Sequence, residues 1–223
     1  MLRAAGSNSA EVEDWKRSQV ILEVLQTYHK RSVASNAHST TEARRLPFLA
    51  LVSKPWSILQ DELNVETVGR LLPLALPLNI PPDEFYIAAV KRAVSDSLGF
   101  AATKPLLLKI RDTQSAMATT MGLAEQFATS PAEHLSALKV ALAFAERWNS
   151  QTSALASASS SSDGAVIAQQ AAASYARLRE TVAATETQMQ LTELKLSSLG
   201  AFVGKPDECL CQLFEQYSDK VIP

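Results

Sequence analysis

Along most of this chain the apolar residues recur at spacings of three and four, the period of an α-helix. From about Ser9 to Ala34, Val12, Trp15, Leu22, Leu25 and Tyr28 form one stripe, broadened by Val20, Ile21 and Val24. Asn8 and Glu11 read as a capping box for this helix. Glu11, Glu13 and Asp14 near its start, and Lys30 and Arg31 near its end, complement the helix dipole. Residues 35–44 are polar and aperiodic, the pattern of a loop. Short helices follow at 46–52, with Pro47 near the first position, and from Pro55, where Trp56, Leu59 and Leu63 share a face.

The stretch 63–98 predicts an αα-hairpin. Its first helix starts at Asn64 and lines up Val65, Val68, Leu71, Leu72, Ala75 and Leu76, with Pro73 set to kink it or end it early. Residues 77–82 hold three prolines and make the turn. The second helix, from Asp83, points Ile87, Val90, Val94 and Leu98 inward and leaves Glu84, Lys91, Arg92 and Asp96 in water, with Gly99 as its C′ residue. A further helical stretch opens at Thr103-Lys-Pro105 and runs to Ala128 with an interruption near Thr113.

Ser130, Pro131 and Glu133 supply N-cap, N1 and N3 of a capping box. The helix they open, 131–148, has two stripes. One is Leu135, Leu138, Leu142 and Ala145; the other is Ala137, Ala141, Phe144 and Trp148. Two stripes predict a helix held between two neighbours. Residues 151–164 are Ser/Ala-rich and low in charge, the composition of a flexible linker. From Ala165 to Leu199 a long helix carries a weak coiled-coil seam: Ile167, Ala171, Ser174, Leu178, Val182, Thr185 and Met189. Residues 200–204 break it, and a last helix, 206–217, turns Leu210, Leu213 and Phe214 inward.

These elements predict an all-α protein: an α-solenoid-like stack of helical hairpins over 1–150, a linker over 151–164, and a long helix plus a short terminal one over 165–223. Composition fits. The chain has 223 residues, 47% of them hydrophobic, with only seven glycines. Its formal net charge of −2 argues against a nucleic-acid binder. No apolar run is long enough to span a bilayer, and no secretory signal opens the chain. Two cysteines do not make a disulfide framework, so a reducing, intracellular compartment is the expectation.

The chemistry-bearing residues do not form a constellation. His29, His38 and His134 share no metal-ligand spacing. Cys209 and Cys211, two apart on a helix, point to different faces and read as half-buried thiols. Asp61-Glu62 and Asp83-Glu84 adjoin helix ends, where acids are solvated or face the dipole. Arg44-Arg45 and Lys91-Arg92 are isolated basic pairs on the surface. Trp15, Trp56 and Trp148 lie on apolar stripes as core anchors. Nucleotide-loop, nucleophile-elbow and zinc-helix motifs do not occur. The expectation is a protein with no catalytic, cofactor-binding or metal residues.

One resemblance adds to this. Leu46-Pro-Phe-Leu-Ala-Leu-Val, Pro55-Trp-Ser-Ile-Leu, Glu62-Leu-Asn-Val-Glu-Thr-Val, Leu71-Leu-Pro-Leu-Ala and Ile80-Pro-Pro-Asp-Glu-Phe-Tyr-Ile-Ala-Ala-Val follow one another in the chain. Together with Ala137-Leu-Lys-Val-Ala-Leu-Ala-Phe-Ala-Glu-Arg-Trp148, they resemble the C-terminal helical region of the Rough deal family. That family supplies the large kinetochore-associated subunit, Rod, of the Rod–Zwilch–Zeste-white-ten complex. Over about 46–150 the resemblance implies an α-solenoid scaffold of the mitotic checkpoint, located at the kinetochore and in the cytoplasm. It implies large helical partners of the Zwilch, Zeste-white-ten and dynein-adaptor types. Such subunits are very long, so this chain would be one piece of one. A related family, the Sec-thirty-nine-like subunits of an endoplasmic-reticulum vesicle-tethering complex, has similar repeats and gives the first alternative. A helical enzyme or cofactor-binding bundle is the second; it would need polar residues converging in a pocket.

Overall fold

The computed structural model describes residues 4–35, 46–158, 162–196 and 199–217. Among them there are helices and turns and no strands, so the protein is all-α. The helices are α1 (Ala4–Ser35), α2 (Phe48–Ser53), α3 (Pro55–Glu62), α4 (Val68–Leu71), α5 (Pro82–Ser95), α6 (Phe100–Leu107), α7 (Thr113–Gln126), α8 (Pro131–Ala158), α9 (Ser162–Glu193), α10 (Leu199–Phe202) and α11 (Pro206–Tyr217). A 3-10 turn, Leu72–Leu74, continues α4.

Proline sets several starts. Helices α3, α5, α8 and α11 each open on one, at Pro55, Pro82, Pro131 and Pro206. There the missing N–H costs nothing, because the first helical N–H groups have no intrahelical partner. Pro73 has the opposite effect inside the predicted hairpin: α4 lasts one turn and tightens into the 3-10 turn. The turn that leads into α4 is fixed by a reciprocal pair of side-chain bonds. Asn64 Oδ1 accepts from the Glu66 and Thr67 N–H groups at 2.9 Å each. Thr67 Oγ1 accepts from the Asn64 N–H at 3.0 Å.

The chain divides into two compact units, Met1–Asp112 and Thr113–Pro223. The division therefore falls well before the expected boundary at 150, and the hairpin of α7 and α8 belongs to the second unit. Residues 151–158 complete α8 and 162–164 open α9, so the expected linker is helical on both sides of 159–161, which lie outside the described residues. That stretch is richest in serine, interleaved with alanine, the strongest helix former. Its hydroxyls turn back onto their own helix, Thr152 Oγ1 to the Trp148 carbonyl at 2.9 Å and Ser157 Oγ to the Ala154 carbonyl at 2.8 Å.

In the first unit, α1 rests on α4 and the 3-10 turn, and α5 packs against α3, α4 and α6. The core is Leu51, Leu59, Leu63, Leu71, Leu74, Phe85, Val90 and Leu107 with Ile21 and Leu25 of α1. Several sequence expectations shift here. On α5 the buried residues are Phe85, Ala89, Val90 and Ala93. Leu98 is exposed and follows the helix end. The α1 stripe that is buried is Ile21, Leu25 and Tyr28, while Val12, Trp15 and Leu22 face water. Asn8 lies inside α1, which starts at Ala4, so it does not cap the helix. Helix α6 starts at Phe100, ahead of Thr103, with Gly99 as its N-cap. The Asp83 carboxylate closes the pair α5–α6: it accepts the Arg111 N–H at 3.1 Å and the Asp112 N–H at 2.8 Å.

In the second unit α8 lies between α7 and α9, as its two stripes predict. Ala137, Leu138, Ala141, Phe144, Ala145 and Trp148 are all buried. The α7–α8 pair is antiparallel and tied at both ends. Thr113 Oγ1 donates to Gln151 Oε1 at 2.9 Å, and His134 Nδ1 meets the Ala124 carbonyl at 2.7 Å. A carbonyl only accepts, so Nδ1 carries the proton. On α9 the seam holds at Ala171, Leu178 and Val182. Ile167 is exposed, and Leu191 adds a buried residue. The helix ends at Glu193, short of the expected Leu199, and the expected break at 200–204 is partly helical, since α10 covers Leu199–Phe202 and buries Phe202; α11 leaves Leu210 and Phe214 exposed.

Three turns leave helical structure through a left-handed residue that is not glycine: Asn79 (φ 55), Ser97 (φ 58) and Lys195 (φ 57). In each, the next residue's N–H reaches back five positions: Ile80 to Ala75 at 2.9 Å, Leu98 to Ala93 at 2.9 Å, and Leu196 to Leu191 at 2.8 Å. These are Schellman closures with an apolar residue at C″. Ser97, two residues before Gly99, therefore takes the C′ role on α5.

Candidate interaction surfaces

The residues weighed for chemistry are dispersed. His134 is the α7–α8 tie just described. His29 sits within α1, not in its last turn, with its Nδ1 enclosed and lacking a hydrogen-bond partner, and its ring meets Tyr28 edge-on at 5.9 Å. Cys209 is half-buried and Cys211 exposed. Glu62 accepts a bond from Tyr28, Asp83 accepts the Arg111 and Asp112 N–H groups of the turn between α6 and α7, and Arg92 pairs with Asp96 at 3.3 Å. His38 and Arg44-Arg45 lie outside the described residues. Among the described residues no group of His, Cys, Asp and Glu is arranged to hold a metal ion. None of the described helices is long and apolar enough to cross a membrane. Trp148 is buried and Trp56 half-buried against Phe85, whereas Trp15 is 67% exposed.

Two grooves mark the first unit. One, of about 330 Å³, runs between α1 and α4. Val24, Tyr28 and Pro73 give it apolar walls, Glu23 and Arg70 stand at its polar margin, and Gly69 leaves part of it open. No atom lies within 4 Å of where a Gly69 Cβ would stand, so the fold does not require glycine there. At its inner end the Tyr28 hydroxyl donates to Glu62 Oε2 at 3.3 Å. Burial, then the Glu62 charge and that hydrogen bond, push the Tyr28 pKa up to about 12 from 10.0, with Arg70 acting the other way. The sign follows from linkage. Between about pH 10 and 12 the unfolded phenol ionises while the folded one holds its proton, so stability falls as pH rises through that window. Tyr28→Phe is expected to flatten this alkaline loss, which thermal melts across pH 9 to 12 would read. The same slope in both proteins would reject the buried phenol as its source.

The second groove, about 310 Å³, lies between α3 and α5 and is more polar, with Asp61, Glu84, Lys91 and Arg92 around Trp56 and Ile87. Both signs of charge line it, which suits a protein surface better than a nucleic-acid backbone.

In the second unit α11 is amphipathic and only partly covered. Leu213 is half-buried, while Leu210 is 53% and Phe214 72% exposed. Val203, just before it, is exposed too. The charges around it are mostly acidic: Asp207 and Glu208 form the first turn, where they complement the helix dipole, Glu208 pairs with Lys205 at 2.8 Å, and Glu215 follows. Leu210, Leu213 and Phe214, at i, i+3 and i+4, have the spacing of anchors that enter a partner's groove. The sequence marked these residues correctly as one face but assigned it to the core; an apolar stripe does not say what covers it. Compared with protein-family models, curated proteins and solved structures, the chain matches none of them.

Proposed function

We propose that this chain is a protein–protein scaffold module, built of helical hairpins and working in a kinetochore complex of the mitotic checkpoint. The observation that carries the scaffold reading is the face of α11, where Leu210 and Phe214 stand in water beside mostly acidic charges. Such a face fits an apolar groove with a basic rim on another protein. The cellular assignment rests on the resemblance of 46–150 to the Rough deal family, which names Zwilch-type, Zeste-white-ten-type and dynein-adaptor subunits as partners.

The test is capture of those subunits, as purified proteins and from mitotic extract, on the full chain. Binding is expected, and Leu210→Asp combined with Phe214→Asp is expected to weaken it roughly tenfold or more. A chain that captures none of them sinks the kinetochore assignment. Equal capture by the double variant removes α11 from the interface. Co-fractionation with endoplasmic-reticulum membranes would instead move the chain to the vesicle-tethering class.

A further inference from the structure

The first part of α1 has no cover among the described residues. From Glu11 to Val20 every residue except Ser18 is exposed, and burial begins at Ile21. At 1.5 Å per residue this is about 15 Å of helix standing clear of its unit's core. A free helix of that length is marginal in water. It also carries an apolar face that its own unit does not use. Val12, Trp15, Gln19 and Leu22 are spaced three, four and three apart, the a and d positions of a heptad. Val12 is 47% and Leu22 43% exposed, alongside Trp15. At 100° per residue this face lies roughly 130° around the helix from the Ile21, Leu25 and Tyr28 side. One helix therefore packs on its unit and keeps the other face free.

The charges flanking that face say what fits it. With Val12 and Gln19 at a, and Trp15 and Leu22 at d, Glu11 takes a g position and Lys16 the following e position. In a parallel two-stranded coil, a g residue of one chain meets the e residue five positions on in the other. Glu11 then faces Lys16 of a second copy, twice by symmetry. An antiparallel pair brings g to g and e to e, setting like charges together. Within one chain Lys16 meets Glu13 at 3.0 Å, but both side chains are exposed and such pairs exchange readily.

We propose that α1 pairs in parallel, in register, with α1 of a second copy of this chain through Val12, Trp15 and Leu22. This is independent of the kinetochore reading. The face is short and Gln19 interrupts it, so the association is weaker than a standard-size interface supports.

Sedimentation equilibrium of the full chain over a concentration series tests it. A monomer–dimer equilibrium is expected, weakened roughly tenfold or more by Trp15→Ala. Glu11→Lys and Lys16→Glu are each expected to weaken it about tenfold, since each turns two attractive pairs repulsive. Mixing these two variants should restore a heterodimer at least as tight as the wild-type pair. Circular dichroism of each variant should lose no more than about ten residues of helix, the start of α1 that pairing holds, because every substituted side chain is exposed and the core of the unit is untouched. A chain that stays monomeric throughout overturns the proposal, as does a dimer indifferent to Trp15→Ala. Loss in both charge variants without rescue on mixing overturns the parallel register.

Discussion

Replacing Phe85 with alanine is expected to destabilise the first unit by about 3–5 kcal/mol. The ring has no solvent exposure and meets Trp56 edge-on, with centroids 6.2 Å apart. It stands in the first turns of α5 and packs that helix against α3 and α4. Those neighbours are short, eight and four residues, so their helical form depends on tertiary contact more than on propensity. Truncation removes the transfer energy of the ring and leaves a cavity that such short elements close poorly. In a background with Trp15→Phe and Trp148→Phe, Trp56 alone reports on the site. Its emission should shift red in the folded state, and the urea midpoint should fall. A midpoint within error of the parent would show that Phe85 is not the keystone of the unit.

In the second unit, Ala141→Glu is expected to cost about 3–5 kcal/mol, the scale of an uncompensated buried charge. Ala141 is fully buried on the helix that lies between α7 and α9. Its buried neighbours on α8, Ala137 and Ala145, are equally small, which lets helices approach closely. The lysine nearest in sequence, Lys139, is exposed and already paired with Glu186 at 2.6 Å. Ala143→Glu, on the exposed side two residues away, should change stability by no more than about 0.5 kcal/mol. Urea unfolding followed at Trp148 compares them. Equal midpoints would contradict the placement of α8 between its neighbours.

Fold class and several helix starts could be read directly from the sequence, because proline and periodicity are local signals. Pro55, Pro131 and Pro206 each announced a helix start, and the two stripes of α8 announced two neighbours. Rotation was harder to read. On α5 the residues that point inward include Ala89 and Ala93. A search for large apolar residues favours Ile87 and Leu98 instead. Alanine gives little hydrophobic signal, yet it is what a close helix contact selects. Serine misled the reading of 151–164: its abundance suggested a linker, yet hydroxyls bonded back to the backbone and interleaved alanines let α8 run on to Ala158. The α1 and α11 faces show the converse limit. Their spacing was plain in Trp15, Leu22, Leu210 and Phe214, but whether the cover for a stripe comes from the same chain is a non-local fact.

A chain with seven glycines, none at these three helix exits, accepts backbone strain where most proteins avoid it. The left-handed conformation costs an ordinary residue roughly 1–2 kcal/mol, less for asparagine. Lys195 and Ser97 thus hold a reserve of unrealised robustness. Glycine at those two exits would raise the melting temperature by several degrees, on the order of 4–8 °C per kcal/mol for small units. Neither change would touch a surface argued above to meet a partner, so hardiness and recognition can be tuned separately in this molecule.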